Sequence, residues 1–197
     1  RVLFQAGFRQ ICVGFESGSE RILQNIQKNA TREQNSRCVQ IAHDSGLTVK
    51  AFMSIGHAGE SRETLDATHN WLLEAQPDDF DLTIITCYPG TPYYDDAIRV
   101  TDGIYCYTAR SGDRLYQENV DFVNDASYYK GIPGGGYKSY VWTDHLTAED
   151  LVTARDEIES DVRNVLRIPY CVISPATRYD GSMGQLPGSI LRATEGA

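Results

Sequence analysis

Short β-branched runs alternate with helical patterns in the first half of the chain, and nothing else in the sequence constrains the fold as much. "ICVGFE", "LTVKAFMSIG" and "DFDLTIITCY" predict strands near 10–16, 48–56 and 80–87. Between the first two, Ile22, Leu23 and Ile26 share a helical face. Thr31 with Gln34 then makes a capping box for a helix carrying Cys38, Val39, Ile41 and Ala42, with Gly46 closing it. After the second run, Leu65, Thr68, Trp71, Leu72 and Ala75 form an apolar stripe that Pro77 ends. Strands separated in this way by helices predict right-handed crossovers and a parallel sheet, so the fold class is α/β. The second run is apolar enough to be covered on both faces.

The three runs end in "GFESGS", "SIGHAGES" and "CYPGTP". Gly14 and Gly18 supply backbone freedom and room for close approach. Glu16 and Ser17 fall at the carboxyl end of a strand, where barrels and open sheets place ligand-binding groups. Two readings stand for them: ligand binding, or capping of the next helix by Ser17 or Ser19 with Glu20 in its first turn. His57 lies at the second strand tip beside Gly59 and Glu60, as a proton donor or substrate contact or as a structural residue. His43 and His69 fall on helix surfaces and are expected to face solvent.

From about residue 99 the alternation stops, and Tyr- and Gly-rich segments predict loops with short strands. A helix over 147–167 follows, with Thr147 as N-cap and Leu151, Ala154, Ile158, Val162 and Val165 on its apolar face. Arg155 and Glu159, with Asp156 beside them, read as a solvated face. Residues 171–197 lack periodicity and read as a flexible tail. The expected division is therefore 1–98, 99–170 and 171–197.

A net charge of −9 without a basic stripe argues against a nucleic-acid partner. No apolar run approaches the roughly 18 residues of a membrane span. Cys12, Cys38, Cys87, Cys106 and Cys171 form no C-x-x-C pair, which argues against a zinc site of that kind and suits reduced thiols in the cytoplasm. Cys12 and Cys87 are expected as small core residues. There is no H-E-x-x-H. The chain opens at Arg1 inside a helix-end pattern, which suggests a partner segment upstream.

"GFESGSERILQNIQKNATRE", "GHAGESRET" and "YPGTPYYD" together resemble the radical S-adenosylmethionine (SAM) superfamily, over about Ala6 to Tyr94. Many relatives read Gly-x-Pro-Gly-Glu where this chain has Gly56-His57-Ala58-Gly59-Glu60. The resemblance implies the C-terminal half of a partial (β/α)6 TIM-like barrel, followed by a loop-rich and helical C-terminal extension. It implies that Glu16 and Ser17 meet the ribose hydroxyls of SAM. Ile55 and Gly56, with Cys87 to Gly90 (Tyr88 and Pro89 among them), would line the adenine side, and Glu60 would sit in the same binding loop or cap the next helix. Packing in the core is the competing reading for the Ile55 side chain. A 4Fe-4S cluster on a C-x-x-x-C-x-x-C motif is also implied, but none of the five cysteines has that spacing, so the cluster would belong to an upstream half of the same protein. "YYKGIPGGGYKSYVWTDHLTAEDLVTARDEIESDVR" is similar to the tail of radical SAM proteins that carry a cobalamin-binding domain, which implies methyl transfer with cobalamin held outside this chain. Two other functions remain open: a barrel enzyme binding a phosphate or sugar ligand at its strand ends, and a non-catalytic, truncated or degenerate domain.

Overall fold

The computed structural model describes residues 1–122, 134–136 and 138–169; the expected tail over 171–197 lies outside the described residues. After a short helix α1 (Val2–Gln5), three strands form one parallel sheet in the order β1-β2-β3: β1 (Gln10–Glu16), β2 (Thr48–Ile55) and β3 (Asp79–Ile84). The connections are α2 (Glu20–Asn25) and α3 (Arg32–Asp44), then α4 (Arg62–Ala75). Both capping predictions hold: Thr31 and Gln34 make the reciprocal box of α3, and Thr147 accepts from the Asp150 amide at the start of α6 (Ala148–Leu166). β3 stops short of residue 87 because the chain turns out of the sheet, where the Thr91 amide and hydroxyl both donate to the Tyr88 carbonyl.

The parallel register separates two unlike faces. Val49, Ala51, Met53 and Ile55 of β2, with Phe80, Leu82 and Ile84 of β3, are buried beneath the helices. Their partners are Val39 and Ala42 of α3, Leu65, Trp71 and Leu72 of α4, and Leu151, Ala154, Ile158 and Val162 of α6. Each Val, Leu, Ile, Met or Phe among them, fully buried, stabilises the fold by about 1.5–3 kcal/mol. Trp71 sits 5.1 Å from the Phe15 ring and donates its indole N–H to Ser36, so the largest core residue leaves no polar atom unpaired. The opposite face is polar and only partly covered. Gln10, Cys12, Gly14 and Glu16 line up there with Lys50, Phe52 and Ser54, and with Asp79, Asp81 and Thr83. The expectation of cover on both faces is therefore corrected: β2 and β3 alternate with period two. Cys12 is exposed on this open face rather than packed in the core, whereas Cys87 is buried.

A second correction concerns α6. Arg155 and Glu159 are not on a solvated face; with Arg163 they are buried against β3. Arg155 Nε donates to the Leu82 carbonyl at 3.1 Å, and Glu159 Oε2 accepts from the Leu82 amide at 3.3 Å. Arg163 Nη2 donates to the Phe80 carbonyl at 2.6 Å, while its Nε and Nη1 pair with Glu159 and Asp79. Residues 155, 159 and 163 are one turn apart on one helix face. Their side chains thus satisfy the edge of β3 as a fourth strand would, leaving no bare ladder there. Val165, assigned to the apolar stripe, is exposed instead.

The predicted short strands after residue 98 form a separate antiparallel sheet, β4 (Ile98–Thr101), β5 (Ile104–Thr108), β6 (Arg114–Glu118) and β7 (Val141–Thr143), preceded by a one-turn helix α5 (Pro92–Asp95). This sheet buttresses the loops at the parallel strand ends. Thr143 donates to the Glu60 carbonyl at 2.8 Å, and Gln117 donates its side-chain amide to the Tyr93 carbonyl. Asp113, in the β5–β6 turn, is ion-paired with Arg21 of α2, accepts from Asn25, and is held as a carboxylate well below the usual range by those bonds.

Candidate functional site

All three parallel strands point their carboxyl ends to one edge, as the strand-end reading requires. A cleft of about 510 Å³ opens there, on the polar face of the sheet. Its floor is formed by the side chains of Phe52, Asp81 and Thr83, and Glu16, Ser54, His57, Tyr88 and Tyr93 rim it. That volume is in the range of small-molecule sites.

Glu16 holds the left-handed conformation at φ 67°. Gly14 and Gly18 were expected to supply backbone freedom and room for close approach; their φ is ordinary, and the room is what they supply. A Cβ on Gly14 would stand 2.6 Å from Glu16 Oε1, so the carboxylate can fold back over β1 only because residue 14 is glycine. A Cβ on Gly18 would meet the Ala67 carbonyl and the Trp71 Cβ at 2.5 Å, which marks a close approach of this loop to α4. A non-glycine residue at positive φ carries a strain of about 1 kcal/mol or more, and such strain collects at functional sites. Glu16 Oε1 pairs with Lys28 at 3.0 Å and Oε2 accepts from the Ser54 hydroxyl at 3.0 Å. Each carboxylate oxygen keeps a second lone pair for a ligand, and the side chain is partly exposed.

Of the other predicted residues, Tyr88 lines the cleft and stacks on Phe122 at 5.5 Å. Ser17 is buried, 3.0 Å from the Thr68 hydroxyl, and accepts from the Ser19 amide. It is therefore a loop-to-helix clasp beneath Glu16; Ser19 is the N-cap of α2 by backbone position, without a side-chain bond. Ile55 is in the core, as its packing reading had it. Gly56 stands at the β2 tip, and its amide donates to Glu60 Oε2 at 3.1 Å. Glu60 is fully enclosed away from the cleft, next to the Thr64 hydroxyl, and burial pushes its carboxyl up to about 7 against the hydrogen bonds it accepts. Pro89 is half-buried, and Gly90 is exposed with its amide on Asp95. The eight residues thus share one sheet edge, but the side chains brought together on the cleft are those of Glu16 and Tyr88.

Ser54, Tyr93, Phe52, Asp81 and Thr83 were missed. For Phe52, Ser54, Asp81 and Thr83 the signal was present as period-two alternation along β2 and β3, which puts them on one face; Tyr93 comes from α5, where no such pattern marks it. His57 is buried between Ser54 Oγ, 2.8 Å from Nε2, and the Tyr93 hydroxyl, 3.1 Å from Nδ1, and burial lowers it to about 4. His43 is exposed as expected and pairs with Asp78, while His69 is half-buried and pairs with Asp161. Among the described residues no group of three His, Cys, Asp or Glu side chains is placed to hold a metal ion, and the residues present do not fit a 4Fe-4S cluster. No helix among them is long and apolar enough to cross a membrane.

No protein-family model matches the chain. It is 34% identical over 98 residues to an uncharacterized methyltransferase of Pyrococcus horikoshii, covering 50% of this chain and 21% of that protein. It is 27% identical over 92 residues to an anaerobic magnesium-protoporphyrin IX monomethyl ester cyclase of Rubrivivax gelatinosus, covering 47% and 17%. A bacteriochlorophyllide d C-12(1)-methyltransferase of Chlorobaculum tepidum is 25% identical over 93 residues, covering 47% and 20%. The chain spans about a fifth of the length of these curated relatives. Among solved structures, the radical S-adenosylmethionine methyltransferase TsrM of Kitasatospora setae, with cobalamin and a [4Fe-4S] cluster bound, aligns with TM-score 0.45 at 21% identity, over 55% of this chain and 23% of that one. The relatives are radical-SAM-related, and the likeness covers about half of the chain.

Proposed function

We propose that this chain is the SAM-binding half of a radical SAM enzyme, with its three parallel strands forming the second half of a partial barrel. The carrying observation is Glu16: a carboxylate held at positive φ over a glycine, at the tip of a strand, on a cleft of small-molecule size. Two adjacent hydroxyls such as a ribose diol suit a carboxylate, which accepts both and makes charge-assisted bonds with each. Phe52, Ile85 and Tyr88 give the apolar walls that a purine needs. Glu60 and Ser17 support the site from behind, by fixing the Gly56 amide and the loop after Glu16.

SAM bound together with a reduced 4Fe-4S cluster supplies radical chemistry; the cluster belongs to an upstream half of the same protein. β1 is an edge of the parallel sheet among the described residues, and it is where such a half would add its strands. Relatives named as methyltransferases favour methyl transfer as the outcome, with cobalamin and the substrate held by parts outside this chain. The four free thiols among the described residues suit a cytoplasmic setting.

The test is a titration of SAM, and of S-adenosylhomocysteine, into the 197-residue chain, followed by amide chemical shifts and calorimetry. Shifts should concentrate at Glu16, Ser54, Thr83 and Tyr88. Glu16→Gln keeps the shape but loses the charge-assisted part of both bonds, so affinity should fall about tenfold. Shifts elsewhere, or equal affinity in a folded Glu16→Gln variant, would overturn the assignment. Saturable binding of inorganic phosphate or free ribose at these residues with no response to SAM would favour the phosphate or sugar enzyme instead.

A further inference from the structure

Four polar side chains run through the wall of the cleft in one unbroken line: Glu16, Ser54, His57 and Tyr93. The contacts are Ser54 Oγ to Glu16 Oε2 at 3.0 Å, Ser54 Oγ to His57 Nε2 at 2.8 Å, and His57 Nδ1 to Tyr93 Oη at 3.1 Å. A hydroxyl has one proton to give, and an ionised carboxylate can only accept. If Ser54 donates to Glu16, the Ser54 oxygen must accept from His57, which makes His57 the Nε2–H tautomer. Nδ1 is then an acceptor, and the Tyr93 hydroxyl donates to it. Every bond points the same way, from Tyr93 to Glu16. His57 is neutral throughout the physiological range because burial lowers it to about 4, outweighing the pull of the Glu16 charge. Burial also raises the Tyr93 phenol, aided by the neighbouring Tyr107, Cys87 and Glu60. The Tyr93 ring is fixed by an edge-on contact with Tyr107 at 4.8 Å and by the Gln117 bond to its carbonyl. Both ends of the line reach the cleft.

We propose that these residues form a proton relay, with Tyr93 as the catalytic residue that takes a proton from a weakly acidic N–H or O–H of a substrate in the cleft, and with His57 and Ser54 as the groups that pass it to Glu16. The step balances as follows. The substrate N–H or O–H bond breaks and a new O–H forms on Tyr93, whose own proton moves to His57 Nδ1. The Nε2 proton moves to Ser54 Oγ, and the Ser54 proton moves to Glu16 Oε2. His57 ends as the other tautomer, Glu16 ends neutral beside Lys28, and no electrons change hands. The role goes beyond SAM binding and does not depend on it.

The experiment needs no ligand. Ring nitrogen shifts of selectively 15N-labelled histidine in the whole chain report the His57 tautomer, and saturation transfer reports how fast its ring N–H exchanges with water. The wild-type chain should show one neutral Nε2–H tautomer near neutral pH. Glu16→Ala does not touch His57, yet it frees the Ser54 proton to point at Nε2, so the tautomer ratio should move at least tenfold toward Nδ1–H. Ser54→Ala and Tyr93→Phe each interrupt the line, and either should slow N–H exchange at least tenfold. A wild-type Nδ1–H tautomer or a charged ring would overturn the relay. So would an unmoved ratio in Glu16→Ala, or unchanged or faster exchange in both interrupting variants. SAM affinity is a separate readout, so failure of the relay and failure of the SAM site are distinguishable.

Discussion

Glu16 and Glu60 look alike in the sequence, each a carboxylate within two residues of a glycine near a strand end, and the structure gives them opposite surroundings. Glu16 sits between Lys28 and Ser54 at the cleft, whereas Glu60 is sealed between Thr64 and the Gly56 amide. The raised Glu60 carboxyl makes a pH prediction. Unfolded, it titrates near the ordinary glutamate value of 4.5; folded, near about 7. Between those values the folded state holds a proton that the unfolded state has released. Stability therefore falls as pH rises through that window and levels off above it. The size is on the order of 3 kcal/mol, spread over the window. Glu60→Gln mimics the protonated form, so urea denaturation should show it gaining on the wild type between about pH 5 and about pH 8. A constant difference across that range would mean that Glu60 is charged when folded. The chemistry of the two positions was legible as "polar groups at a strand tip", but which one faces the cleft was not. That depends on the Gly14 cradle and on how β7 seals the Glu60 loop, contacts made from far along the chain.

At the scale of elements, the parallel strands and their helices were readable because hydrophobic period and caps are local signals. Thr31, Pro77 and Thr147 act where the sequence puts them. The reading failed where a tertiary partner decides the environment. Arg155 and Glu159 have the spacing of a solvated ion pair, and only the bare edge of β3 turns that stripe into a buried hydrogen-bonding ladder. Breaking such a group from one side leaves a buried donor unpaired. Glu159→Ala takes one of two carboxylates from Arg163, which keeps Asp79, and unpairs the buried Leu82 amide, so it should cost about 1–3 kcal/mol in chemical denaturation. Native-state hydrogen exchange adds a local signature: the Leu82 amide should lose protection beyond what the global change explains. A loss under about 1 kcal/mol would place this group with surface ion pairs.

For the molecule as a whole, the two margins of the parallel sheet differ in kind. β3 is closed by arginine and glutamate side chains, while β1 has no strand beyond it among the described residues. A sheet finished on one side can accept strands only on the other, so copies that meet through the parallel sheet join β1 to β1 about a twofold axis and leave no further open edge of that sheet. Such an isologous contact is closed, whereas a fibre requires a head and a tail. Reopening β3 restores the second half of that requirement. Glu159→Ala held under native conditions should therefore develop thioflavin-positive, steadily growing aggregates, while Ile158→Ala, which loosens the same helix but spares the ladder, should not. Equal growth in both variants would trace it to lost stability alone. Three side chains on one helix thus limit the stoichiometry of any contact made through the parallel sheet.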